Sequence, residues 1–265
     1  MPYHQLEIDI SDRYLEKICQ ELNRSKCEFC LLGGWAAYHI VNDNFQKING
    51  RKYIGSRDID IGFHIDKNWS KEQLKKSDFC TATHLVEGMG FKWISARLAK
   101  DFDWETGREL TLQESRSRPL YEIITIYVDP LVDCIHPQMK DALGSLPLDE
   151  PLLSSVFVNR ICTRIHLLRT SVSLPKPHCL LAMKLNCVTT RGNQDKRIKD
   201  IADIFAILWF SNMEFAQIKD NLFFIYPRAK ARKVVGGFKE SEINAVSKEI
   251  GISADQIHTV LDQLI

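Results

Sequence analysis

Apolar positions at Tyr14, Leu15, Ile18 and Leu22 recur at helical spacing behind Ser11 and Asp12, two residue types that cap helices well, so a first helix is predicted to start there. A short apolar stretch, 29–32, stops at Gly33-Gly34, and 35–41 reads as a helix opening at the glycines, with a polar loop over 42–51. Residues 57–63 (Arg57-Asp58-Ile59-Asp60-Ile61-Gly62-Phe63) alternate polar and apolar, the mark of a strand with one buried face. Residues 71–89 predict a helix, and 91–98, 109–113, 121–128 and 156–168 predict further strands. From Pro177 the period turns helical, with helices expected over 179–188, 198–209, 240–250 and 254–264. The pattern predicts an α+β protein: a mixed β-sheet with flanking helices over residues 1–176, then a helical C-terminal domain over 177–265.

Composition narrows the options. The 265 residues are 45% hydrophobic, and 35 Lys and Arg stand against 34 Asp and Glu, for a net charge of +1. That balance argues against a chain drawn as a whole to polyanions, yet 176–239 carries twelve Lys and Arg against five Asp and Glu. Within it, Arg228-Ala229-Lys230-Ala231-Arg232-Lys233, flanked by Tyr226 and Phe238, can contact a phosphate backbone or form a solvated face. The longest apolar run, 204–210, is far too short for a membrane span, and the chain opens on no basic-then-apolar leader. A cytoplasmic protein with no membrane partner is expected. Of eight cysteines the one close pair is Cys27-x-x-Cys30, and no second pair completes a zinc set, so structural thiols are expected. His39 has no second histidine at ligand spacing and reads as structural.

The chemistry concentrates in two places. Gly33-Gly34 lets the backbone turn tightly and aim amide N–H groups at anionic oxygens, and in a strand Asp58 and Asp60 point to one face. Two like charges side by side call for a cation, and a phosphate cradle beside a carboxylate pair is equipment for phosphoryl or nucleotidyl transfer.

In this order (apolar strand, Gly-Gly, helix, strand with Asp-x-Asp) the chain resembles the nucleotidyltransferase superfamily, and most of all its AbiEii-type toxin nucleotidyltransferases. A second stretch extends the resemblance: Lys184-Leu185 at a helix end, then Arg191, then Lys199-Asp200-x-x-Asp203. The resemblance implies a nucleotidyltransferase fold and a Mg²⁺-dependent transfer of an NMP from an NTP to an acceptor hydroxyl, with two Mg²⁺ ions and release of pyrophosphate. It places metal on Asp58 and Asp60 and the NTP phosphates on Gly33, Gly34, Lys184 and Arg191. A third carboxylate is expected on a neighbouring strand, with Glu122 preferred for its apolar-acid-apolar setting and Asp129 or Asp133 in reserve. Implied partners are an acceptor such as tRNA or other RNA, and an antitoxin protein. Two rivals compete with this expectation. One is a catalytically silent nucleotide- or RNA-binding protein that keeps the fold. The other is a DNA-binding regulator using the C-terminal helical pair around Gly251.

Overall fold

The first helix forms earlier than its predicted caps. In the computed structural model, which describes residues 4–143, 146–167 and 170–265, α1 spans Gln5–Arg24. His4 caps it, and the Glu7 carboxylate accepts from the His4 N–H at 2.7 Å. Ser11 is fully buried on the same face as Tyr14, Leu15, Ile18 and Leu22, so it packs inside the helix instead of starting it. Met1, Pro2 and Tyr3 lie outside the described residues.

The chain divides into two compact units. One, residues 4–32 and the described part of 56–174, holds the sheet. The other, residues 33–55 and 175–265, is helical. In this division the helix behind the glycines groups with the C-terminal helices, whereas the sequence pattern places it in a continuous 1–176 domain.

In the sheet unit, strands β1 (Cys30–Leu31), β2 (Ile59–Phe63), β3 (Lys92–Ile94), β4 (Arg97–Asp103), β5 (Ile123–Val132), β6 (Leu148–Asp149), β7 (Cys162–Leu167) and β8 (Thr170–Pro175) form one mixed sheet. Their order is β3-β4-β5-β2-β1-β8-β7, with β6 also on β5. The long β5 is its axis: Ile124, Ile126 and Val128 are buried, and the strand runs parallel to β2 and antiparallel to β4. Its pairing with β4 ends at Val128 and that with β6 begins at Leu131. Pro130, which has no N–H to donate, sits where the strand changes neighbours on that side. Helices α1, α3 (Lys71–Lys75) and α4 (Asp78–Gly88) belong to this unit, with α5 (Leu112–Ser117), α6 (Met139–Leu143) and α7 (Leu153–Phe157).

Three expectations change here. Residues 71–89 are two helices, because the Ser77 side chain accepts from the Cys80 N–H and starts α4 afresh. Residues 91–98 are the first half of a hairpin, turned at Ser95 with φ 60°. Val156 lies in α7 and the following strand starts at Cys162; Leu168, the expected end of that strand, lies outside the described residues.

The helical unit contains α2 (Gly33–Asn49), α8 (Pro177–Val188), α9 (Gln194–Phe210), α10 (Phe215–Ile225), α11 (Arg228–Val235), α12 (Glu240–Ile250) and α13 (Ala254–Asp262). α2 runs through the expected loop because Val41 and Phe45, four apart, are both buried while its polar residues face outward. Phe45 packs edge-on against Phe210 and Tyr53, and α9, buried along most of its length, is the centre of this unit. Among the described residues no helix is long and apolar enough to cross a membrane.

Candidate functional site

The alternation at 57–63 does form a strand, and its neighbour decides what faces its acids. β2 lies parallel to β5 with Asp60 in register with Asp129. Asp58, just ahead of β2, shares the parity of Asp60, so three carboxylates belong to one row across two adjacent strands. Asp58 and Asp129 are each 7% exposed and Asp60 is half-buried.

Carboxylates so enclosed require a cation, and the chain supplies one in Arg97, the first residue of β4. Its Nε donates to Asp129 Oδ1 at 2.5 Å and its Nη2 to Asp129 Oδ2 at 2.8 Å, a bidentate fork. The same Nη2 lies 3.1 Å from Asp58 Oδ2. The guanidinium carbon stands 4.1 Å from the ring centroid of Tyr127, two residues before Asp129 on the same face. Burial works against the charged guanidinium, but Asp129 and then Asp58 outweigh it and raise the Arg97 pKa above its ordinary value. Arg57 adds a looser charge, 3.6 Å from Asp58 Oδ1 and 3.4 Å from Glu7 Oε1.

Glu122 is not part of this row. It ends a 3₁₀ turn, Leu120–Glu122, and its carbonyl accepts from the Trp104 N–H at 3.0 Å. It lies seven positions before Asp129, roughly 20 Å of extended chain. Asp133 is engaged elsewhere, accepting from the Ile65 N–H at 2.8 Å and from His64. The carboxylate beside Asp60 is therefore Asp129, the reserve choice.

Gly33 has φ 61°, a conformation that favours glycine, and α2 starts on it. The residue before it, Leu32, donates its N–H to the Asp60 carbonyl at 2.8 Å. His39, on α2, stacks near Trp35 and meets Tyr38 edge-on, and burial pushes its pKa down to about 4.

In the helical unit, Lys184, expected at the triphosphate, is held by two carboxylates. Its Nζ lies 2.8 Å from Asp200 Oδ1 and 2.7 Å from Asp203 Oδ2 and is almost wholly enclosed. Arg191 Nε donates to Asp200 Oδ2 at 2.7 Å, Lys199 pairs with Asp203, and the Tyr53 hydroxyl donates to Asp203 Oδ1 at 3.0 Å. Three cations thus share two buried carboxylates. Burial opposes the charge of Lys184, yet Asp200 and Asp203 overcome it and raise its pKa. Burial, reinforced by the Lys184 charge, instead lowers the Lys199 pKa. Tyr53 and Lys199 were not among the expected site residues; only the Lys-Asp-x-x-Asp spacing hinted at Lys199.

None of the eight cysteines is joined in a disulfide. Among the described residues no group of three or more His, Cys, Asp and Glu side chains stands in metal-binding geometry. The Asp58–Asp60–Asp129 row nonetheless suits a hard divalent cation in chemistry, since its donors are all carboxylate oxygens and two of them already converge on the Arg97 charge. On α11, Arg228, Lys230, Arg232 and Lys233 are exposed, with Phe224 on α10 90% exposed.

No family model and no curated protein matches this chain. Among solved structures the chain is similar to an antigenic nucleotidyltransferase-like protein from Paracoccidioides brasiliensis, at 15% identity and a TM-score of 0.40, over 83% of this chain and 89% of that one.

Proposed function

We propose that the chain is a nucleotidyltransferase that moves an NMP from an NTP to an acceptor hydroxyl. The observation that carries this reading is the carboxylate row, Asp58 and Asp60 with Asp129 in register on the adjacent parallel strand. In the transfer, the acceptor oxygen bonds to the α-phosphorus, the bond from that phosphorus to the α–β bridging oxygen breaks, and pyrophosphate leaves. The hydroxyl proton passes to the carboxylate row. Asp58, Asp60 and Asp129 would hold Mg²⁺, which when bound neutralises charge developing on the phosphoryl oxygens. The reading assigns the NTP phosphates to the backbone at Gly33 and Gly34. Lys184 is left with an internal role, because both carboxylates that hold it are buried with it.

RNA, including tRNA, is the acceptor class best supported by the chain's own chemistry, through the exposed cations of α11. Activity as a toxin, with an antitoxin as its partner, rests on the resemblance to AbiEii-type proteins alone. The Arg97 fork favours a second reading, a catalytically silent nucleotide-binding protein, because an internal cation already neutralises the row.

Incubation with α-labelled NTPs, Mg²⁺ and total RNA separates the two. The enzyme labels RNA, and Asp58→Ala, Asp60→Ala or Asp129→Ala each lowers labelling by about a hundredfold or more, as loss of a charge-stabilising group in a transfer site does. Binding of ATP by calorimetry with no labelling at all would establish the silent reading.

A further inference from the structure

The Arg97 fork occupies the atoms a divalent ion would need. Both oxygens of Asp129 accept from it, and Asp58 Oδ2 lies 3.1 Å from Nη2. A guanidinium spreads one positive charge over a plane and is weakly hydrated, whereas Mg²⁺ or Mn²⁺ concentrates two charges and takes oxygen ligands at about 2.1 Å. Each carboxylate oxygen keeps a second lone pair, but a guanidinium and a divalent ion held against the same oxygens would stand at contact distance and repel, so the two compete for the row.

The placement of Arg97 is built in at three levels. The two-residue turn between Ile94 and Arg97 sets it at the start of β4. The Leu98–Val128 pair carries it up to Asp129, and the Tyr127 ring backs its guanidinium. Its side chain is also 27% exposed, so the charge has solvent to move into.

We infer that Arg97 is an internal counter-cation guarding the carboxylate row, and that a divalent ion binds there only by displacing its guanidinium from Asp58 and Asp129. This inference rests on the metal-holding role proposed above for the row. The guard lowers apparent metal affinity by the fraction of molecules in which Arg97 has swung away. It also gives the row a neutralised resting state without metal, in which buried carboxylates are not left unpaired.

The test is Mn²⁺ binding to the full chain, followed by the loss of the free-ion electron paramagnetic resonance signal and by thermal melting. Arg97→Gln keeps a planar polar group but removes the charge and the fork. It is expected to bind Mn²⁺ at least tenfold more tightly than wild type. Without metal it melts below wild type, and Mn²⁺ restores much of the difference while moving the wild-type transition little. Arg97→Lys, a compact charge that cannot fork, falls between the two and serves if the glutamine variant does not fold.

Affinity in both variants equal to or below wild type, with wild-type binding lost in Asp58→Asn, overturns the guard and leaves the metal-holding row standing. Absence of any Mn²⁺ binding sensitive to Asp58→Asn or Asp129→Asn, in wild type and variants alike, overturns both.

Discussion

With its ammonium enclosed between Asp200 and Asp203, Lys184 cannot be removed without taking one cation from each of two buried carboxylates, which leaves Asp200 to Arg191 and Asp203 to Lys199 and Tyr53. Lys184→Ala is therefore expected to destabilise the protein by about 3–5 kcal/mol, the range for breaking a buried ion pair from one side. Urea denaturation followed by circular dichroism reads this directly. A ligand to the triphosphate would behave otherwise, raising KM for the NTP with little change in the unfolding midpoint, and that pattern would return Lys184 to the phosphate role. The sequence shows a lysine interrupting an apolar helix stripe, which signals that it needs a partner. It does not show which partner, since an ion-pair partner fifteen or so residues away and a bound phosphate leave the same local pattern. Arg97 was invisible for a related reason: its acids lie 32 and 39 positions away in the chain, on two other strands.

Strands were legible where one face is buried and the other is polar, and illegible where charged residues are paired by tertiary contacts. The segment 57–63 alternates cleanly, and β2 forms there with Ile59, Ile61 and Phe63 buried. Only the first two residues of β4 fall within an expected strand, 91–98, because Lys100, Asp101 and Asp103 interrupt Leu98, Ala99 and Phe102. Each finds its ionic or polar partner in the fold: Lys100 with Glu109 at 2.7 Å, Asp101 with Thr125 at 2.7 Å, and Asp103 with Arg118. The same tertiary logic fixes Gly62, next to the carboxylate row on β2. A Cβ there would stand 2.5 Å from Leu153 Cδ2 and 3.0 Å from Leu32 Cδ1, both on buried side chains. Gly62→Val is expected to cost about 1–3 kcal/mol through overpacking. Leu153→Ala makes room, so the double substitution should be more stable than the sum of the two singles predicts. Additivity in that thermal-melting cycle would mean that Leu153 is not what limits the site.

At the scale of the whole chain, near-neutral charge conceals a division of labour that only position reveals. Eight of the twelve cations of 176–239 fall into two groups with opposite fates. Lys184, Arg191 and Lys199 are spent on Asp200 and Asp203, and Arg197 pairs with Glu242 at 2.5 Å. Those of α11 stay at the surface, where Lys230 donates to Asn186 at 2.6 Å and Arg232 to the Ile265 carbonyl at 2.6 Å. Counting charges along the sequence cannot separate these groups, since the distinction lies in which helix face is buried: Ala231, Val234 and Val235 turn inward on α11 and leave the cations outward. If that face tracks a single-stranded RNA backbone, each phosphate contact contributes about 0.7 to the slope of log K against log salt. Arg228→Ala with Lys233→Ala, the two cations furthest apart on the helix, should then lower the slope by about 1.4 in fluorescence titrations with an unstructured oligonucleotide. The same double substitution should leave Mn²⁺ binding at the carboxylate row unaltered, because that row is built by other strands from other residues. A salt slope that does not move would make α11 a solvated face, and the acceptor would then have to be sought among molecules without a phosphate backbone.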